Sequence, residues 1–317
     1  MLGTESQSLE TSDSSLIFSM KPLSINNQTL AWGKRTYVMG ILNATPDSFS
    51  GDGLLPSPDS PIVYGGGEGG ALAQARRFVD AGADILDVGG ESTRPGSQPV
   101  NAEDEMARVI PIIHAIAEQM PETLISVDTY KASVAKAAIE AGAHMVNDVW
   151  ALRADPELAS VVAAAGCPVI LMHNRSNPAS VEVREQLGSA YVGAEYGDLL
   201  EDVKRELLES VELAKQAGVA DEAIILDPGI GFGKTIAQNL DLNNRLDEIR
   251  ALGYPVLLGP SRKSFIGYTL DLPADQRVEG TAASVAVGII RGADIIRVHD
   301  LTEMVRIARM TDAIVRR

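Results

Sequence analysis

Short apolar, β-branched runs alternate along this chain with longer stretches in which Ala, Leu and Glu recur at helical spacing, the pattern of repeated βα units that feed a parallel sheet. The apolar runs fall at residues 37–42, 84–88, 124–127, 144–146, 168–172, 223–226, 254–258 and 294–298. Between them the spacing predicts helices over 71–81, 102–119, 131–141, 156–165, 197–217, 240–252, 278–291 and 301–316. Gly82, Gly142, Gly166, Gly218, Gly253 and Gly292 stand where helices stop, as expected of left-handed caps. Eight strands in regular alternation predict a closed (β/α)8 TIM barrel with mobile βα loops at its carboxyl-end mouth. A doubly wound open sheet, which usually has fewer strands, is the alternative architecture.

Ala-Gly-Ala-Asp at 81–84, Ala-Gly-Ala-His at 141–144 and Arg-Gly-Ala-Asp at 291–294 each join a helix to a strand and reflect shared loop chemistry. Two stretches break the rhythm. Residues 1–15, rich in Ser, Thr and Glu, are expected to form a disordered tail, leaving 16–317 as a single domain. Segment 56–70, full of Pro, Ser and Gly, reads as a mobile insertion after the first strand.

Composition narrows the function classes. With 317 residues, 45% of them hydrophobic, the chain can bury one large core. A formal net charge of −16 speaks against nucleic acid or anionic membrane as a main partner, so any anion site must be local. Cys167 is the single cysteine, which excludes a disulfide framework and fits a reducing cytoplasm. No apolar run approaches the length that spans a bilayer.

In a (β/α)8 barrel the chemistry gathers at the carboxyl ends of the strands. Here those ends carry Asn43, the run Gly-Gly-Glu-Ser-Thr-Arg-Pro-Gly at 89–96, Asp128, Asn147 with Asp148, His173 with Asn174, Asp227, Ser261 to Ser264, and Arg297 to Asp300. Turn forming and helix capping account equally well for Asp148, Asn174 and Asp300. Arg94, Lys263, Arg297 and His299 are different, because four basic groups on one rim of an acidic protein point to an anionic substrate. The run from Gly229 to Thr235 looks like a P-loop, yet Pro228 stands where its first glycine is required, and the glycine spacing also fails the dinucleotide pattern. His114, His144, His173 and His299 include no pair at metal-ligand spacing, which argues against zinc.

In their order along the chain these strand ends resemble the dihydropteroate synthase family, over about residues 37–317. Ile41-Leu42-Asn43-Ala44-Thr45-Pro46-Asp47-Ser48-Phe49-Ser50 looks like its first mobile loop, and Asp87-Val88-Gly89-Gly90-Glu91-Ser92-Thr93-Arg94-Pro95-Gly96 like its second. Ser126-Val127-Asp128-Thr129, Val146-Asn147-Asp148, Leu171-Met172-His173, Leu226-Asp227-Pro228-Gly229, Ser261-Arg262-Lys263-Ser264 and Ile296-Arg297-Val298-His299 follow. The resemblance implies a transferase of folate synthesis that joins 6-hydroxymethyl-7,8-dihydropterin diphosphate to 4-aminobenzoate, releasing pyrophosphate by an SN1-like substitution. It implies a pterin pocket of Asp128, Asn147, Met172, Asp227, Lys263 and Arg297. The pyrophosphate would be held by Asn43, Arg94, Arg297 and His299, with Mg²⁺ on Asn43, and aminobenzoate would rest among Thr93, Pro95, Phe232 and Ser264. A homodimer formed through outer helices near the C-terminus is also implied, as is sulfonamide binding.

Two other readings share part of the pattern. A pterin-dependent methyltransferase has the same barrel and pterin-binding acids, but Ser-Thr-Arg-Pro-Gly at 92–96 and Ser-Arg-Lys-Ser at 261–264 fit pyrophosphate and aminobenzoate. A non-catalytic pterin-binding protein would have no use for Asn43, Arg94 and His299. The chain departs from the family at one point: Gly51 stands where the family carries a loop aspartate, and Asp52 comes one residue later. Asp52 is the expected electrostatic partner of the developing methylene cation, since glycine at 51 can redirect the neighbouring side chain.

Overall fold

Side chains alternate faces along a strand, so the parity of each apolar run decides what fills the inside of a barrel. The computed structural model describes residues 20–45, 68–177, 180–184 and 187–316. A hairpin comes first, β1 (Leu23–Ile25) and β2 (Gln28–Leu30), turned at Asn26 and Asn27, both with positive φ. Then follow β3 (Tyr37–Asn43), α1 (Glu68–Ala81), β4 (Ile85–Gly89), α2 (Ala102–Gln119), β5 (Leu124–Asp128), α3 (Ala132–Glu140), β6 (Met145–Asp148), α4 (Leu158–Ala165) and β7 (Val169–Met172). A second hairpin, β8 (Val181–Arg184) and β9 (Gly188–Tyr191), precedes α5 (Leu199–Ala217) and β10 (Ile224–Asp227). The chain continues through α6 (Ile236–Asn244), α7 (Leu246–Arg250), β11 (Leu257–Leu258), α8 (Ser264–Leu270), α9 (Val278–Ile290), β12 (Ile295–Val298) and α10 (Leu301–Val315).

Eight of these strands make one parallel sheet in the order β10, β7, β6, β5, β4, β3, β12, β11. A parallel bridge between Leu226 and Val256 joins its two edges, so the sheet closes into the expected barrel. Met39, Ile85, Leu124, Met145, Ile170, Ile225, Leu257 and Ile295 fill the interior, and Leu23, Ile25, Leu30 and Trp32 join the same buried cluster, sealing the end opposite the mouth. Their neighbours of opposite parity, such as Val38, Leu86, Ile125, Val146 and Ile296, pack against the helices. Full burial of each such side chain contributes roughly 1.5–3 kcal/mol. A one-residue slip would turn the whole set to the wrong face, which pins the register.

The same parity carries polar groups inward nearer the mouth. Two residues beyond Ile85 lies Asp87, beyond Leu124 come Ser126 and Asp128, beyond Met145 Asn147, beyond Ile225 Asp227, and beyond Ile295 Arg297.

All six helix-ending glycines take positive φ. The helix expected over 240–252 is two helices instead. Thr235 and Gln238 form a capping box that starts the first at Ile236, and Arg245 leaves helical geometry at φ −112°. Leu242, Leu246 and Ile249 stay buried across the break, so the kink keeps one apolar face on the barrel. Segment 56–70 is shorter than expected as a loop, because Glu68 to Gly70 already belong to α1, while 56–67 lie outside the described residues, as does the tail 1–15. No helix among the described residues is long and apolar enough to cross a membrane.

Candidate active site

Charged groups deep in a barrel must pair, because an isolated buried charge is costly. Arg297 on β12 does so across the mouth: its Nε donates to Asp87 Oδ2 at 2.6 Å, and its Nη2 donates to Asp128 Oδ2 at 2.6 Å. Asn147 Nδ2 also donates to Asp87 Oδ2, at 3.0 Å. A carboxylate only accepts, so this bond fixes the amide of Asn147 with its Oδ1 left as an acceptor. Asp87 is fully buried, and its Oδ1 has no partner among the described residues. Burial pushes the Asp128 carboxyl up, to about 7, against the pull of Arg297. Burial also works to lower the Arg297 guanidinium, but Asp87 and Asp128 outweigh it and hold the group above its ordinary value.

Across the mouth, Asp227 ends β10 in register with Met172 on β7. Its Oδ1 accepts from Gly229 N at 2.7 Å, and no other side-chain or backbone donor among the described residues reaches the carboxylate. Burial raises its pKa against nearby Lys263. Lys263 precedes α8 and donates to Ile230 O, with its ammonium 4.6 Å from the centre of the Phe232 ring. Burial pulls that ammonium down to about 8, opposed by Asp227. Gly259 lies between the two cations, where a Cβ would make ordinary contacts of 3.8 Å to Arg297 Cβ and 4.0 Å to Lys263 Nζ. Met172, Val149 and Phe232 form a small buried apolar cluster beside these charges, flanked by Tyr130, Trp150 and Tyr191.

The structure thus brings Asp128, Asn147, Met172, Asp227, Phe232, Lys263 and Arg297 to one mouth. Asn43 ends β3 in register with Gly89, which in turn pairs with Asp128. Thr93, Arg94 and Pro95 lie half-buried on the loop after β4. The base of that loop is anchored: Lys131 pairs with both Glu91 and Glu105, Tyr130 Oη donates to Glu91 at 3.2 Å, and Arg108 donates to Gly90 O at 2.8 Å. Tyr191 Oη donates to Thr93 O at 2.8 Å, linking the loop to β9. His299 Nδ1 lies 3.0 Å from Ser261 Oγ, and Ser264 is the first residue of α8. Asp52 falls outside the described residues.

Sequence reasoning passed over Asp87, Glu91 and Lys131, although an aspartate inside an otherwise apolar strand is a readable sign of a buried partner. Of three other strand-end residues, two serve the backbone and one pairs with a side chain. Asp148 accepts from Trp150 N, Asn174 bonds Ser176 and Val149, and Asp300 pairs with Arg262. Among the described residues no three His, Cys, Asp or Glu side chains are grouped to hold a metal.

A parallel barrel with two carboxylates, an amide and a lysine around one apolar-walled mouth is suited to a flat heterocycle edged with donors and acceptors. The chain belongs to the pterin-binding enzyme family, whose pattern it matches over residues 39–299. It is 49% identical to the dihydropteroate synthase of Clostridium beijerinckii over 296 residues, covering 93% of this chain and 100% of that one. The crystal structure of the Clostridium difficile dihydropteroate synthase in the presence of pteroic acid superposes with a TM-score of 0.78 at 45% identity, over 90% of this chain and 99% of that one. The Xanthomonas albilineans enzyme with 4-aminobenzoic acid gives 0.81 at 37% identity, over 93% and 98%. Within the family, then, its place is among the dihydropteroate synthases, transferases of folate biosynthesis.

Proposed function

We propose that the mouth of this barrel condenses 6-hydroxymethyl-7,8-dihydropterin diphosphate with 4-aminobenzoate. The observation that carries this reading is the convergence of Asp128, Asn147, Asp227 and Lys263 in one buried pocket. Asp227 Oδ2, Asn147 Oδ1 and the Asp128 carboxylate accept from the amino and ring N–H groups of the pterin. Lys263 donates to its ring acceptors, and Met172 and the guanidinium plane of Arg297 pack on its faces. Arg297 has committed Nε and Nη2 to carboxylates, which leaves Nη1 for the substrate.

The diphosphate lies shallower, toward Asn43, Arg94, Arg297 and His299. Magnesium suits this end of the pocket: Asn43 offers a hard amide oxygen, and a magnesium ion commonly rests mostly on phosphate oxygens. When bound it would neutralise charge on the departing pyrophosphate. Aminobenzoate rests against Phe232 and Pro95, with Thr93 and Ser264 near its polar groups. The bond from the pterin methylene to the diphosphate oxygen breaks first, its electron pair leaving with pyrophosphate. The conjugated ring spreads the developing cation, the arylamine nitrogen then forms the new C–N bond, and its proton passes to solvent. Because an arylamine is already neutral near pH 7, the residues act chiefly by electrostatics and by excluding water, without a strong general base.

Exposed Val287 and Ile290 on α9, and Met310, Ile314 and Val315 on α10, support a homodimer through these outer helices. A lone buried Cys167 supports a reducing cytoplasm as its place of action. The test is direct: incubated with the dihydropterin diphosphate, 4-aminobenzoate and Mg²⁺, the protein should release pyrophosphate and dihydropteroate in equal amounts by mass spectrometry. Pyrophosphate without dihydropteroate, or neither product, would contradict the proposal.

A further inference from the structure

Lys234 ends the glycine-rich run that resembles a P-loop, and the substrate scheme above makes no use of it. It is nonetheless one of the most deeply buried cations in the chain, 3% exposed. Its ammonium carries three protons and meets three acceptors: Gly229 O at 2.9 Å, Phe232 O at 3.1 Å and His173 Nδ1 at 3.1 Å. Turn carbonyls buried in this way would otherwise lack partners. Glu206 fixes the state of His173. Its ionised carboxylate can only accept and lies 3.1 Å from Nε2, so the ring proton sits on Nε2 and Nδ1 is left as the acceptor for Lys234, whose ammonium burial pulls down to about 7. Burial agrees, pulling the imidazole down to about 4, while His173 and Arg175 hold Glu206 well below the usual carboxylate range.

The turn has other anchors as well: Gly229 N donates to Asp227 Oδ1 at 2.7 Å, Gly231 N to Asn239 Oδ1 at 2.6 Å, and Gly233 O accepts from Ala194 N at 2.9 Å, but among the described residues Lys234 alone joins its first carbonyl to that of Phe232. Gly229, Gly231 and Gly233 all take positive φ. A Cβ on Gly229 would lie 1.8 Å from His173 O, so the close approach is possible only for glycine. At the far side of the same loop, Ile230 O receives the Lys263 ammonium and the Phe232 ring lies beside it.

We infer that Lys234 is a positioning residue: with His173 and Glu206 behind it, it clamps the 229–233 turn and holds Phe232 as the wall of the aminobenzoate subsite. The inference rests on the proposed reaction. Two of the pterin groups touch the turn, Asp227 through Gly229 N and Lys263 through Ile230 O, whereas Asp128, Asn147 and Arg297 are tied to one another through Asp87 on other strands and Phe232 belongs to the turn itself. Loosening the turn therefore weakens aminobenzoate capture more than pterin binding.

The test compares the intact enzyme with Lys234→Met, His173→Leu and His173→Asn, reading the aminobenzoate KM by turnover and the dihydropterin Kd by calorimetry. Lys234→Met should raise the aminobenzoate KM tenfold or more while the dihydropterin Kd moves less than threefold. His173→Leu should move the same constant in the same direction. His173→Asn should stay within twofold of wild type, because its amide oxygen replaces Nδ1 as the acceptor. An unchanged aminobenzoate KM in Lys234→Met, or parallel change of both constants, would overturn the inference. If Lys234→Met does not fold, equal behaviour of the two His173 variants overturns it and their divergence supports it. A wild-type protein that makes no dihydropteroate refutes the reaction itself, an outcome distinct from an active enzyme with indifferent variants.

Discussion

Replacing Asp227 by Asn changes one oxygen to an NH₂ group, and the surroundings dictate which one. Gly229 N donates to Oδ1 at 2.7 Å, so the amide keeps its oxygen there and turns Nδ2 to where Oδ2 faced the pocket. A pterin N–H would then meet a donor. The lost charge-assisted hydrogen bond is worth roughly 1.5–3 kcal/mol, and a mismatched buried donor adds about 1 kcal/mol or more. The combined loss of about 2.5–4 kcal/mol corresponds to roughly 60- to 700-fold in Kd. Stability should change far less, since Asn is nearly isosteric and removes a carboxylate whose ionised form burial disfavours. Calorimetric titration with a dihydropterin at pH 8, alongside thermal melts of both proteins, measures the two effects separately. A Kd within twofold of wild type, with unaltered melting, would refute the placement of Asp227 on the pterin edge.

Asn43→Ala should weaken Mg²⁺-dependent binding of the diphosphate ester at least tenfold and leave dihydropterin affinity unchanged, which titrations with each ligand check; equal losses would contradict the role of Asn43. On the expectation that Asp52 meets the developing cation only in the transition state, Asp52→Asn should lower kcat substantially without changing dihydropterin affinity; wild-type turnover there, together with a crippled Asp47→Asn, would move the role to Asp47. Burial raises Asp128 to about 7 and raises Asp227, and pterin N–H groups favour the ionised forms, so dihydropterin affinity should increase as pH rises through about 7 and decline again above about 8, where Lys263 loses its proton. Affinity that is flat or falls from pH 6 to 8 would count against both carboxylates.

The barrel was readable because its determinants are local. The barrel strands announce themselves by β-branched runs, six of the ten described helix ends by a glycine, and Asp87, Asn147, Asp227 and Arg297 by their parity with an apolar residue two positions earlier. What escaped depends on contacts between distant segments. Strand β11 shrinks from the expected 254–258 to two residues because Val256 N is taken by Asp294 Oδ2 and not by a strand neighbour. The Asn26-Asn27 turn is a faint local signal, because the strands that flank it have only three residues each. The Glu91–Lys131–Glu105 anchor joins residues that no periodicity relates. Residue types at strand ends bring Asp128, Asn147 and Asp227 forward as candidates, but it takes the fold to bring Asp87 to Asn147 and Arg297 and to turn Lys234 onto the carbonyls of its own loop.

The central claim is that one mouth, edged by Asp128, Asn147 and Asp227, reads the pterin. A crystal structure with a dihydropterin bound tests it most directly. The account predicts the pterin edge within about 3.2 Å of the Asp128 carboxylate, Asn147 Oδ1 and Asp227 Oδ2, with Lys263 Nζ on a ring acceptor. A pterin bound outside the barrel mouth, or one that meets Nδ2 of Asn147 in place of Oδ1, would contradict it.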